Sequence, residues 1–129
     1  MSRSIHQMAC LFLLLLVSWA LLSPDPFASI RHTRLSFLQT ISDIFLHCGA
    51  YSAFSLACCS LIGQRSDPNV RRTVIGLLVT HAVGTEVLQL WMPNRTCDPL
   101  DALANLCGIT IGAMLAAWVV RHAATVRAS

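Results

Sequence analysis

The sequence predicts an all-α, polytopic membrane protein: a bundle of about four transmembrane helices with both termini on the cytoplasmic side. Three observations predict it. Hydrophobic residues make up 55% of the chain and charged residues 12%, and that charged share is about half that of a soluble domain. Four segments approach the roughly 20 apolar residues that a span requires. The arginines are placed unevenly about those segments, as the positive-inside tendency requires.

The first segment, residues 5–22, holds the unbroken run from Met8 to Leu22. Arg3 before a short apolar run has the look of a signal peptide, but there is no clean small-x-small cleavage site, and Pro24 and Pro26 follow at once. It is expected to remain as a helix. The second segment is residues 43–63, the third 73–91 and the fourth 102–120. Helix is the form that satisfies backbone groups within lipid. Trp19, Trp91 and Trp118 fall near segment ends, where belt residues sit. No internal repeat appears, and residues 1–129 read as a single domain.

With the N-terminus inside, the cytoplasmic side holds Arg3, Arg65, Arg71, Arg72, Arg121 and Arg127, and the outer side holds Arg31, Arg34 and Arg95. Six against three favours an N-in, C-in arrangement. The outer segment 23–42 carries Ile30, Phe37, Leu38 and Ile41, an apolar stripe suited to lying on the membrane surface. The net charge of +3 is small and scattered, which excludes a nucleic-acid partner. The six cysteines lie mostly in apolar runs without a CxxC, so they read as buried small hydrophobes rather than as a redox pair.

On this topology the polar residues collect at the outer side. Asp43, His47 and Tyr51 are spaced i, i+4, i+8, a slowly drifting stripe on the second helix. Glu86 and Gln89 are i, i+3 near the outer end of the third. Arg95 and Asp98 lie in the outer loop. Asp101, Asn105, Gly108 and Gly112 share one face of the fourth helix, polar at its outer end and small-sided deeper. Glu86 precedes Trp91 by five residues, about 7–8 Å at 1.5 Å per residue. A carboxylate at that depth turns inward and seeks partners; Arg95 is the candidate counter-ion. Asp101 and Asp43 also suit the first turn of a helix, beside its dipole. Ala104, Gly108, Gly112 and Ala116 form a small-residue ridge for helix packing. His81 lies about 140° around the helix from Glu86 and reads as a hydrogen-bonded interior histidine. No metal-ligand spacing or cofactor motif is present.

These residues give the chain a resemblance to the VanZ-like family of small bacterial membrane proteins. The segment from Asp43 to Tyr51 is similar to the family's Asp…His…Tyr element. Glu86 to Arg95 and Asp98 to Gly108 are similar to its Glu-x-x-Gln, Pro-x-Arg and Asp-x-x-x-Asn-x-x-Gly elements. Ile44 stands where the family often has a basic residue, and Asn94 where it often has Gly; both bear on loop conformation. The resemblance implies a multi-pass protein of the bacterial inner membrane. The family takes its name from a protein linked to low-level teicoplanin resistance, which implies action at the cell envelope without fixing an activity.

Three functions compete. The first is a binding or envelope-modifying protein whose outer site takes a lipid-linked or peptide-like ligand, with Arg95 meeting a phosphate or carboxylate. The second is a membrane hydrolase or transferase with His47 as general base, although no GxSxG or HExxH motif is present. The third is a small proton-coupled transporter carried by Glu86, although such groups usually lie near the midplane. Homo-oligomerisation is compatible with a chain of this size.

Overall fold

The computed structural model describes residues 3–28, 31–62, 67–93 and 97–128. Its four α-helices are α1 (Arg3–Leu22), α2 (Asp43–Ile62), α3 (Pro68–Gln89) and α4 (Pro99–Ala128), with a 3-10 helix at Arg34–Thr40. Ser4–Leu22, Asp43–Ile62 and Pro99–Ala123 are long and apolar enough to cross a membrane.

The helices run alternately up and down, as three contacts at one end show. Gln89 Nε2, at the end of α3, donates to Leu21 O at the end of α1, 3.0 Å away. His47, in the second turn of α2, stands 3.9 Å from Asp101 in the first turn of α4. Asn105 of α4 reaches Glu86 of α3. One end therefore gathers the exits of α1 and α3 and the entries of α2 and α4. α2 and α3 each touch both α1 and α4. The core is built from Val17, Leu21, Tyr51, Phe54, Leu78, Ala82 and Ile109. Met8, Phe12, Leu15, Met114 and Leu115 are exposed, an apolar surface of the kind that lipid covers.

Two helices start earlier than hydropathy suggests, because their starts are set by caps. Asp67 accepts from Asn69 N at 2.8 Å with Pro68 at the first turn of α3, so α3 begins at Pro68 rather than at Thr73. Asp98 accepts from Leu100 N at 2.8 Å, so α4 begins at Pro99 rather than at Ala102. An aspartate cap followed by proline suits a helix start. α4 also runs on to Ala128, eight residues past the expected limit at Val120, since helix needs no apolar sequence once it leaves lipid. The expected surface stripe is not continuous: Phe37 is exposed, Leu38 turns to the space between α1 and α2, and Ile30 lies outside the described residues.

α2 and α4 meet at backbone distance. Ala104, Gly108, Gly112 and Ala116 are all buried. A Cβ on Gly108 would collide with Cys48 O and stand 3.0 Å from Tyr51 Cβ; one on Gly112 would collide with Ser52 O and stand 2.8 Å from Leu56 N. Such small-residue faces let membrane helices pack without a hydrophobic driving force. Ser55 Oγ adds a bond across this seam to Ile109 O at 2.8 Å.

Gly108→Ala and Gly112→Ala are each expected to destabilise the protein by about 1–3 kcal/mol, read as a lowered unfolding midpoint in detergent. Gly76→Ala and Gly84→Ala, whose new Cβ would meet nothing within 4 Å, should be neutral or stabilising.

Candidate functional site

Side chains from three helices meet at the end where α1 and α3 exit. His47 is 3% exposed, Glu86 2% and Asn105 0%. Asn105 lies between the other two. Its Oδ1 can only accept, so His47 Nδ1 donates to it across 3.0 Å. Its Nδ2 donates to Glu86 Oε1 at 2.9 Å. His47 Nδ1 is also 3.4 Å from Glu86 Oε1, and His47 Nε2 faces Asp101 Oδ2 at 3.9 Å. The polar contacts at the imidazole nitrogens are thus all to oxygens. Asp101 sits in the first turn of α4, where the helix dipole favours a negative charge. Glu86 Oε2 is buried and, among the described residues, has no hydrogen-bond partner.

One turn deeper lies a second polar tier. The Ser18 hydroxyl donates to Leu14 O at 2.7 Å, so its oxygen accepts from His81 Nε2 at 2.9 Å. That leaves His81 Nδ1 to accept from the Tyr51 hydroxyl, also at 2.9 Å. Thr85 Oγ1 is 3.1 Å from Tyr51 Oη and bonds back to Ala82 O at 2.9 Å. This tier joins α1, α2 and α3. The outer tier joins α2, α3 and α4.

The nine residues singled out by sequence therefore separate. His47, Glu86, Asp101 and Asn105 come together. Tyr51 belongs to the deeper tier, because the i, i+4, i+8 stripe drifts by about 40° per step and carries its hydroxyl towards α3. Gln89 is buried but turns to Leu21 O of α1. Asp98 caps α4. Asp43 is exposed in the first turn of α2. Arg95, the candidate counter-ion, lies outside the described residues. Ser18 and Thr85 went unread in the sequence. Thr85 stands one turn from His81 on α3, and Ser18 is a lone hydroxyl in an apolar run, which signals little by itself.

His47 has a second neighbourhood. A cavity of about 530 Å³ runs between α1 and α2, lined by Leu16, Val17, Leu46 and Ala50, with Leu35 and Leu38 of the 3-10 helix, and reaching Asp43 and His47. A further cavity of about 470 Å³ lies among α1, α2 and α3, with His81 in its wall. Among the described residues no group of three or more His, Cys, Asp or Glu side chains could hold a metal ion. The outer tier combines an imidazole, an amide and carboxylates. Such a set can bind a polar ligand by hydrogen bonds and can exchange a proton with it at His47.

An up-and-down helical bundle with an apolar exterior and a polar centre near one end is the build of a small multi-pass membrane protein. A family model described as VanZ/LLP1 matches residues 7–120, and the chain belongs to that family. It is accordingly a multi-pass protein of the bacterial inner membrane. No curated protein and no solved structure matches the chain.

Asn105→Leu removes the bridge and strands His47 and Glu86. It is expected to cost about 1–3 kcal/mol for each group left unpaired, measured by thermal unfolding in detergent. Tyr51→Phe, which removes one hydroxyl from the deeper tier, should cost about 1 kcal/mol.

Proposed function

We propose that all four helices cross the membrane, with both termini in the cytoplasm, and that the His47–Asn105–Glu86 cluster faces the cell envelope as a ligand-binding site. α3 is more polar than its neighbours, but the polar groups of its last turns point inward, while Thr80 is exposed. Thr85, Glu86 and Gln89 are buried, while Leu77, Val83, Val87, Leu88 and Trp91 are exposed. From Thr73 to Gln89 the helix is about 26 Å long at 1.5 Å per residue, close to the thickness of a hydrocarbon core. Arg71, Arg72 and Arg121 are exposed at the end away from the cluster. The positive-inside tendency puts that end in the cytoplasm.

The observation that carries the binding reading is the buried Oε2 of Glu86, which has no hydrogen-bond partner among the described residues. A structural network in lipid is expected to close its own hydrogen bonds, since an orphaned polar group costs free energy there. An open acceptor beside His47 and Asp101 is what a site for a donor-bearing head group requires. Arg95, four residues before Pro99 in the sequence, would supply a phosphate or carboxylate contact. The ligand is then a lipid-linked or peptide-like component of the envelope, in keeping with the glycopeptide resistance that gives the family its name. A hydrolase or transferase reading has one observation in its favour, the His47 imidazole set 3.4 Å from Glu86; formation of a product from a bound ligand would select it.

Glu86→Gln and Arg95→Ala are expected to keep the wild-type unfolding midpoint while losing any protection against teicoplanin in cells that express them. If both variants unfold, the cluster is structural. If both protect as well as wild type, it has no part in the function.

A further inference from the structure

The cysteines are spread along the chain without a CxxC, and the sequence reads them as separate small hydrophobes. The fold brings two of them together. Cys10 of α1 and Cys58 of α2 are free, partly exposed thiols that line the same cavity of about 470 Å³, and their side chains are hydrogen-bonded to each other. The register of the two helices gives the same pairing. Ser18 of α1 and Tyr51 of α2 both bond His81. Two turns from that level, away from the polar cluster, Cys10 lies about 12 Å and Cys58 about 11 Å along its helix at 1.5 Å per residue. Cys59, the next residue, turns elsewhere. It is buried, stands 3.9 Å from Ser55 Oγ, and lines a small cavity with Arg71 and Ala113. The pair also stands where α1 is held least. The bonds of α1 to α3, at Ser18 and Leu21, and its core side chains Val17 and Leu21 belong to its second half. Cys10 belongs to the first.

We infer that Cys10 and Cys58 form an oxidisable dithiol, which a quinone dissolved in the bilayer converts to a disulfide that ties α1 to α2. Two S–H bonds break and one S–S bond forms. The two protons and two electrons pass to the quinone, whose two carbonyl groups become hydroxyls. The oxidant follows from where the thiols lie. Both belong to helices long and apolar enough to cross a membrane. Exchange with a soluble disulfide runs through a thiolate, and a charged group is costly within lipid. Two neutral thiols and a neutral quinone give a neutral disulfide and a neutral quinol, so no net charge is placed in hydrocarbon. A disulfide sets its sulfurs about 2.0 Å and its Cβ atoms about 3.8 Å apart, and thiols already in contact reach that geometry by small side-chain rotations. The bond would fix the first half of α1 beside the cavity that both thiols line, and it would close the chain from Cys10 to Cys58 into a loop, which restricts the unfolded state. It lies away from the polar cluster and stands apart from the binding reading.

The test uses the full chain, reduced, in vesicles of phosphatidylethanolamine and phosphatidylglycerol, to which a fully substituted decyl benzoquinone is added. The protein is then unfolded, its remaining thiols are blocked with N-ethylmaleimide, and its peptides are mapped by mass spectrometry. The expected result is a linked Cys10–Cys58 peptide pair, lighter by two hydrogen atoms, while Cys48, Cys59, Cys97 and Cys107 take the label. The unfolding midpoint should rise by several degrees on oxidation and fall back with dithiothreitol. Cys10→Ser and Cys58→Ser should each abolish the link and the shift, and Cys59→Ser should leave both. The mapping is made on the wild-type chain, so it does not depend on any variant folding. Cys10 and Cys58 that both still take the label after quinone treatment would overturn the inference, as would links scattered among the cysteines. A Cys10–Cys58 link formed as fast by glutathione disulfide in vesicles without quinone would also overturn it, because the oxidant would then come from water.

Discussion

The amide of Asn105 ties three helices together, and the site depends on it. A polar side chain within a bilayer has no water to turn to, so its partners must come from the protein. Asn105 has an acceptor and a donor on one rigid plane. It uses the first for His47 of α2 and the second for Glu86 of α3. An apolar residue there would take from each its bond to Asn105 and leave the buried imidazole and carboxylate with their direct 3.4 Å contact.

Asn105 reaches its partners because α4 lies unusually close to α2. Gly108, three residues on, places the α4 backbone against Cys48, and Gly112 does the same at Ser52. His47 adjoins Cys48 in α2, so the close approach brings its ring within hydrogen-bond reach of Asn105. The packing ridge and the polar site are two consequences of one helix contact. α1 stands outside this arrangement. It is held by the Ser18–His81 and Leu21–Gln89 bonds and by a few apolar side chains, and it is flanked by a cavity on either side. The closest helix approach is the α2–α4 seam; the two large cavities lie along α1.

Much of the fold could be read from the sequence, because lipid imposes a coarse rule. Apolar length suggests four helices; four are present, and three of them are long and apolar enough to cross a membrane. Their starts were harder to read. Asp67-Pro68 and Asp98-Pro99 carry cap chemistry that hydropathy counting passes over. The site was legible as a set of residues near one end and not as a set of contacts. Spacing puts Asp43, His47 and Tyr51 on one stripe, but it says nothing of which helix each will face. The structure sends His47 to α4, Tyr51 to α3 and Asp43 to the cavity between α1 and α2. Gln89, three residues after Glu86, lies about 60° around the helix from it, and it turns to Leu21 O of α1 while Glu86 turns to Asn105 of α4. Ser18 gave no signal because one hydroxyl in an apolar run is common.

The central claim is that the outer tier serves a ligand and not the fold. The most direct test replaces its three buried members by apolar residues, His47→Leu, Glu86→Leu and Asn105→Leu together, and measures unfolding and teicoplanin protection on the same protein. Removing a buried polar network entirely is often neutral or stabilising, because no partner is left stranded. The account predicts a triple variant that folds at least as stably as wild type and confers no protection. A triple variant that fails to fold, or one that folds and still protects, would contradict it.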